Sequence, residues 1–305
     1  MNDGPKHAYH EVGKGRYYED PQGGPPLISV TTVLDAACAK PALVPWAAKA
    51  IAERAMDILP QLVVASRKTD THEAALKDLK AHVNVVRETA AGLGTRVHAA
   101  AEAHLLGRTI PNDPEVAPFV TQYERFLTDW GVNIERDVFA AESTVFNRHE
   151  GYAGTLDLMV ALPLWPALDG KDPHVDTDGE RRLWIVDTKT STTQPASRYY
   201  PEAALQQTAY RHGQVLLMPD GTEIRMPSVA GVAVLNLRTN DYALIPLPGG
   251  TDEWAAFQGA LKVARWMHAF HDLENKPAPI SAAGEVKKPR KRAAKKTTPT
   301  KTKAA

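Results

Sequence analysis

The sequence predicts an α/β domain: a central mixed β-sheet flanked by helices, with an N-terminal helical region and a disordered basic C-terminal tail. Three observations predict it. Apolar and aromatic residues recur at about helical spacing as far as Trp130, and at a period of two from Asp137 onward. The segments run helices, three strands, helix, two strands, helix, the order expected of a sheet covered by helices. Finally, 43% of the 305 residues are hydrophobic and 24% charged, the composition of a chain that buries a core.

Each element has its own signal. Residues 1–27 are polar and rich in Gly and Pro, ending in Gly23-Gly24-Pro25-Pro26, and read as a leader or a ragged edge strand. Residues 28–34 (Ile-Ser-Val-Thr-Thr-Val-Leu) are short and β-branched, as strands are. Alanine-rich sequence around Trp46 and the Glu/Lys-bearing stretch 70–90 have helical composition. A further helix is expected from Gly94 to Gly107, where glycine suits the left-handed position beyond a helix end. Another spans about 114–130, with Phe119, Tyr123, Phe126 and Trp130 as a core-facing stripe.

Residues 137–146 and 152–162 read as strands of a hairpin around Asn147-Arg148-His149-Glu150-Gly151. In the second, Leu156, Leu158 and Val160 share one face, leaving Asp157 on the other with Thr155 and Met159. A loop rich in Pro, Asp and Gly covers 163–180, and its Asp176-Thr177-Asp178-Gly179 lacks the ligand spacing of a calcium loop. Residues 183–189 form the third strand, 201–217 a helix with Pro201 in its first turn, 229–238 and 242–247 two more strands, and 252–273 a closing helix. The expected organisation is a polar leader (1–27), a mostly helical region (28–90), a core (91–275) and a Lys-rich tail (276–305).

Composition also excludes. No apolar run approaches the roughly 20 residues that span a bilayer, and no basic-then-apolar signal opens the chain, so a cytoplasmic protein without a membrane partner is expected. The single Cys38 excludes a disulfide framework, a cysteine zinc site and a cysteine-held iron–sulfur cluster. Charges balance at 36 basic and 36 acidic, but nine of the basic ones lie in 287–305 with no acid among them. The remaining body is acidic. Such a tail cannot order itself by apolar burial; it either solvates the chain or holds a polyanion by counterion release.

Chemistry concentrates on a few residues. Asp-x-Lys occurs three times, at Asp78, Asp169 and Asp187, and the first two sit in charged or loop sequence where solvated surface is the default. Asp187 and Lys189 instead follow four apolar residues on a probable central strand, and a period of two points both to one face. Burying them is costly unless they pair or bind something, so a structural ion bridge and a functional site stay open alternatives. Asp157 interrupts another apolar strand. If the two strands are neighbours, their carboxylates converge and need a cation or a proton between them, and oxygen ligands suit Mg²⁺ or Mn²⁺. His98 lies one step off the stripe of Val97, Ala101 and Leu105, with Glu102 a turn later as a second-sphere partner for the imidazole. Glu142 breaks a half-buried strand and is either catalytic or an edge-facing, solvated carboxylate. His104 and His149 are rival imidazoles, which only a family resemblance ranks below His98.

Taken in order, Gly94-x-x-x-His98, Glu142, Gly154-x-x-Asp157, Asp187-x-Lys189 and Gln206-x-x-x-Tyr210 resemble the motifs of RecB-type nucleases of the PD-(D/E)XK superfamily, over roughly residues 90–220. The opening 28–34 followed by Trp46 is similar to phage and actinobacterial exonucleases of that group. The resemblance implies a restriction-endonuclease-like core and a Mg²⁺-dependent deoxyribonuclease, with Mn²⁺ able to substitute. It implies metal binding by His98, Asp157, Asp187 and the Thr188 carbonyl, and catalytic roles for Lys189, Asp187, Asp157 and Glu142. Gln206 and Tyr210 would lie against DNA. Unlike the cluster-bearing relatives, this chain lacks the cysteines for an iron–sulfur cluster. It also has no Gly-x-x-x-x-Gly-Lys-Ser/Thr, so any motor belongs to another chain. Implied partners are DNA and a recombinase or single-strand-binding protein, in the cytoplasm of a bacterium or of a phage's host. The alternatives are an inert DNA-binding or assembly module on the same fold, and a nuclease for RNA or branched DNA.

Overall fold

A computed structural model describes residues 7–67, 69–167, 172–218 and 220–271. The fold is α/β, with a large, mixed, curled sheet. The expected Lys-rich tail and the Asp169–Lys171 pair lie outside the described residues.

The N-terminal stretch expected as a polar leader contributes two strands, β1 (Ala8–Glu11) and β2 (Gly15–Tyr18), joined as an antiparallel hairpin. Gly13 and Gly15 take positive φ there, as a tight reversal requires. β3 (Leu27–Ser29) then pairs with β2, and the strand expected over 28–34 ends at Ser29. The Ser29 hydroxyl accepts from the Thr32 amide at 3.0 Å, capping a helix, α1 (Val30–Ala37), built from the same β-branched residues. A strong cap and full burial of Val30 and Val33 override the strand propensity of that sequence.

Helices α2 (Leu43–Asp57) and α3 (Leu59–Ala65) pack on the first half of α4 (Thr69–Leu105). The break expected at Gly94 is absent: α4 runs unbroken through Gly92 and Gly94. Each glycine costs roughly 1 kcal/mol relative to alanine in a helix. Gly94 lies against β8 (Arg182–Thr190), where a Cβ would meet Thr190 Oγ1 at an ordinary contact distance of 3.5 Å. The expected C-terminus is real. Gly107 sits at φ +61° and Arg108 N–H returns to the Ala103 carbonyl at 2.8 Å. α5 (Ala117–Asp129) buries Phe119, Tyr123 and Phe126, the expected core stripe.

After the short α6 (Ile134–Asp137), β4 (Val138–Asn147) and β5 (Tyr152–Leu162) form the expected hairpin, turning at Gly151, where φ is +69°. The loop that follows holds two short paired strands, β6 (Leu164–Trp165) and β7 (His174–Val175). β8 (Arg182–Thr190) leads to α7 (Pro201–Arg211), which stops short of the expected Leu217. The reason is steric. A Cβ on Gly213 would lie 2.2 Å from Val145 Cγ1, so the chain turns there against β4 and continues as β9 (Val215–Leu217), paired with that strand. β10 (Glu223–Arg225), β11 (Gly231–Leu237), β12 (Tyr242–Leu247) and α8 (Thr251–His271) complete the chain.

Two cores sandwich the sheet. On one side α1, α7 and α8 bring Val33, Ala209, Phe257 and Leu261 against Met159, Ile185, Val232 and Val234. On the other, α4 and α5 bring Val97, Ala101, Phe119 and Phe126 against Leu158, Val160, Trp184 and Val186. β11, buried on both faces and apolar from Gly231 to Leu235, runs parallel to β8, as suits a strand covered on both sides.

β5 is the branching strand. One edge pairs with β4 between Tyr152 and Val160, with a register shift between Val138 and Ala140. The other pairs with β3 only at Tyr152 and Ala153, and with β8 only from Leu158 onward. Gly154 to Asp157 thus face an opening between β3 and β8. Alternation also breaks here. Leu156 joins the core on the α7 side while Leu158 and Val160 join that on the α5 side, so these three do not share the single face expected of them. On the paired strand the backbone of Glu142 takes φ +45°, a left-handed conformation costly for a side-chain-bearing residue.

Candidate metal centre

Ala141 pairs with Leu158 and Ser143 with Leu156, which puts Glu142 opposite Asp157 at this break. A local irregularity of this kind re-aims side chains, and it turns both carboxylates toward α4. His98 reaches them from the helix: its Nδ1 is 3.6 Å from Glu142 Oε1 and 3.5 Å from Asp157 Oδ2. One ligand atom from each of His98, Glu142 and Asp157 lies within 4.8 Å of the others, the geometry of three donors around one cation. Together with Glu102, Tyr123 and Thr188 they line a small cavity under α4.

Thr188 ties the cluster together with its main chain. Its N–H donates to Asp157 Oδ2 at 2.7 Å, and its carbonyl accepts from His98 Nε2 at 2.9 Å. A carbonyl can only accept, so Nε2 carries the proton and Nδ1 faces the carboxylates. Thus the Thr188 carbonyl, expected as a metal ligand, here orients the imidazole. Glu102, expected in that orienting role, lines the cavity and makes its ion pair with Arg108 at 3.9 Å.

Asp187 stands beside the cluster rather than in it. Continuing the β5–β8 register one step past Leu158 and Val186 places it opposite Asp157, on the neighbouring strand as the sequence suggested. Its side chain is only 2% exposed. Oδ1 accepts from Gln206 Nε2 at 3.1 Å, while Oδ2 lies 2.6 Å from Lys189 Nζ but lacks a hydrogen bond of regular geometry. Gln206 also donates to the Tyr210 hydroxyl at 3.3 Å, so the residues spaced one helical turn apart on α7 act as a unit. Tyr210 in turn needs Gly154: a Cβ at that position would sit 2.5 Å from Tyr210 Cε1.

The electrostatics follow from burial. Asp157 and Asp187 are pushed above the usual carboxylate range by burial, which the neighbouring cations only partly offset. His98 is pushed up to about 9, principally by the Asp157 charge against the opposing effect of burial, with Glu142 adding to the rise. Burial also disfavours the Lys189 ammonium, but Asp187 and Asp157 outweigh it and hold the lysine above its ordinary value. One imidazole nitrogen and carboxylate oxygens of Glu142 and Asp157, with the Asp187 carboxylate on the next strand, are a donor set that fits a single divalent cation.

Two features escape sequence reasoning. Tyr123, legible as core, also walls the cavity. Asn236 and Arg238, polar residues at the end of an apolar strand, hold the loop that follows Lys189; their polarity in that run was the available signal. No protein-family model matches this chain, and no curated protein matches it.

Proposed function

We propose that the chain is a metal-dependent DNA nuclease of the RecB type, an exonuclease of the PD-(D/E)XK superfamily with a restriction-endonuclease-like core, serving phage or bacterial recombination or repair in the cytoplasm. The observation that carries this reading is the convergence of His98, Glu142 and Asp157, from a helix and two strands, beside the buried Asp187 and the half-exposed Lys189 paired with it. Among the described residues no helix is long and apolar enough to cross a membrane.

The donors would hold Mg²⁺, or Mn²⁺ in its place: His98 through Nδ1, and Glu142 and Asp157 through carboxylate oxygens. Such an ion, when bound, supplies a water of lowered pKa and a Lewis acid at the scissile phosphate. The chain's own residues do the remainder. Thr188 fixes the imidazole and one Asp157 oxygen, so neither ligand reorganises during the reaction. Asp187 keeps Lys189 charged and positioned, and the ammonium stabilises negative charge developing on the phosphate. Gln206, partly exposed, holds an Asp187 oxygen and is the α7 group that would reach the DNA backbone. Tyr210, expected against DNA, is buried at 2% exposure and braces Gln206 from within the core.

End-labelled linear DNA and a covalently closed circle, each incubated with Mg²⁺ and with a chelator, test the reading. Shortening of the linear substrate alone, and only with Mg²⁺, is expected. Binding without any change of length would identify an inert module and sink the nuclease assignment.

A further inference from the structure

We propose that Tyr199 and Tyr200 form a preorganised stacking platform for the unpaired bases of a single-stranded DNA end. The placement of that end toward the metal centre rests on the nuclease reading above.

The loop between β8 and α7 starts just after Lys189 and ends where α7 begins, with Tyr200 as the residue before its first turn. Along α7, Gln206 lies six residues further on, roughly 9 Å at helical rise. The loop therefore joins two segments that both contribute to the candidate centre. It carries two adjacent aromatic rings into solvent, Tyr199 at 52% and Tyr200 at 40% exposure. The exposed Arg198 guanidinium lies over one face of the Tyr200 ring, 5.2 Å from its centroid. Two exposed rings, one of them with a cation over a face, suit a base and its phosphate, and unpaired bases of any identity have a face to offer.

Loops are normally mobile, and a mobile platform would lose much of its binding energy to ordering. This loop is held from below. Asn236 lies next to Lys189 in the parallel β8–β11 register, and its side-chain amide donates to the Ala196 and Arg198 carbonyls, both at 2.7 Å. Arg238 is buried, has no carboxylate partner among the described residues, and spends its guanidinium on main-chain carbonyls: Gln194 at 2.6 Å, Leu237 at 2.7 Å, Pro195 at 3.0 Å and Lys189 at 3.3 Å. Burying a cation this way is expensive unless something depends on the geometry it imposes. It fixes the carbonyl of Lys189 and the base of the platform in one unit. Duplex DNA, whose bases are stacked on one another, offers no free face to these rings; a frayed or resected end does.

The test measures binding of the full chain to a fluorescein-labelled oligothymidylate and to a blunt duplex, by anisotropy in a chelator, which stops cleavage. The Tyr199→Ala/Tyr200→Ala variant is expected to lose roughly tenfold or more in affinity for the single strand, while its duplex affinity stays within about twofold of the wild type. The double Phe variant, which keeps both rings, is expected to restore single-strand binding. Unchanged single-strand affinity in the Ala variant overturns the proposal, as does an equal loss for both probes. Mg²⁺-dependent cleavage by the wild type, measured alongside, separates the two readings: ring-dependent binding without cleavage removes the nuclease assignment and leaves the platform.

Discussion

The His98 imidazole donates its Nε2 proton to the Thr188 carbonyl at 2.9 Å, and that single bond decides that Nδ1 is the nitrogen facing Glu142 and Asp157. A helix residue and a strand residue ninety positions apart thereby set the donor geometry of the centre.

The first prediction concerns this nitrogen. His98→Ala is expected to weaken Mn²⁺ binding by more than the roughly 10–100-fold typical of losing an outer partner of a metal ligand. Isothermal calorimetry on the purified variant checks it, and wild-type affinity would remove His98 from the donor set.

The second concerns pH. In the metal-free protein His98 is held at about 9 by the Asp157 charge, above its ordinary 6.5. The stabilisation from the protonated imidazole is therefore complete below 6.5 and is lost as pH rises through 9. Burial raises Asp157 and Asp187 as well, so their contributions also fall with rising pH, beginning at the ordinary carboxylate value of 3.8. The Tm advantage of the wild type over His98→Gln, measured in a chelator, is expected to shrink from pH 6.5 to pH 9. The Tm increment on adding Mg²⁺ should grow over the same interval, because the ion and the proton compete for Nδ1. A pH-independent increment would contradict ligation through that nitrogen.

The third exploits backbone strain. Glu142 at φ +45° stores an energy that glycine does not incur. Both Glu142→Gly and Glu142→Ala remove the carboxylate and are expected to abolish metal-dependent cleavage. Glycine should nonetheless be the more stable of the two by about 1 kcal/mol, read from urea midpoints. Equal stability would mean that the left-handed turn is absent in solution.

The fourth tests the packing of Tyr210 on β5. Gly154→Ala would bring a Cβ to 2.5 Å from Tyr210 Cε1, forcing the ring away and with it the Gln206 bond to Asp187. A loss of about 1–3 kcal/mol is expected from such overpacking. Cleavage should fall too, with the metal affinity less affected than in His98→Ala. A variant as stable and active as the wild type would show that this contact does not position the helix.

The sequence by itself determined the elements with strong periodicity: the 152–162 strand, the aromatic face of α5, the apolar β11 and the closing helix. It also singled out Asp157, Asp187 and Lys189, because polar groups inside or ending apolar runs are costly and so stand out, whereas His98 stood out only through the family resemblance. Tertiary structure alone decided where local signals conflict. The β-branched 30–37 segment is a helix because Ser29 caps it and the core covers it. α4 continues through its two glycines, with β8 packed alongside at Gly94, and α7 ends early because Val145 occupies the space beside Gly213. The composition of the cluster was likewise a matter of three dimensions. Glu142 joins His98 and Asp157, while Asp187 stands aside with Lys189, because β5 loses its partner between β3 and β8 and the opposite strand turns left-handed there. Periodicity describes a side chain's direction only while the strand stays regular, and the candidate centre sits where regularity fails.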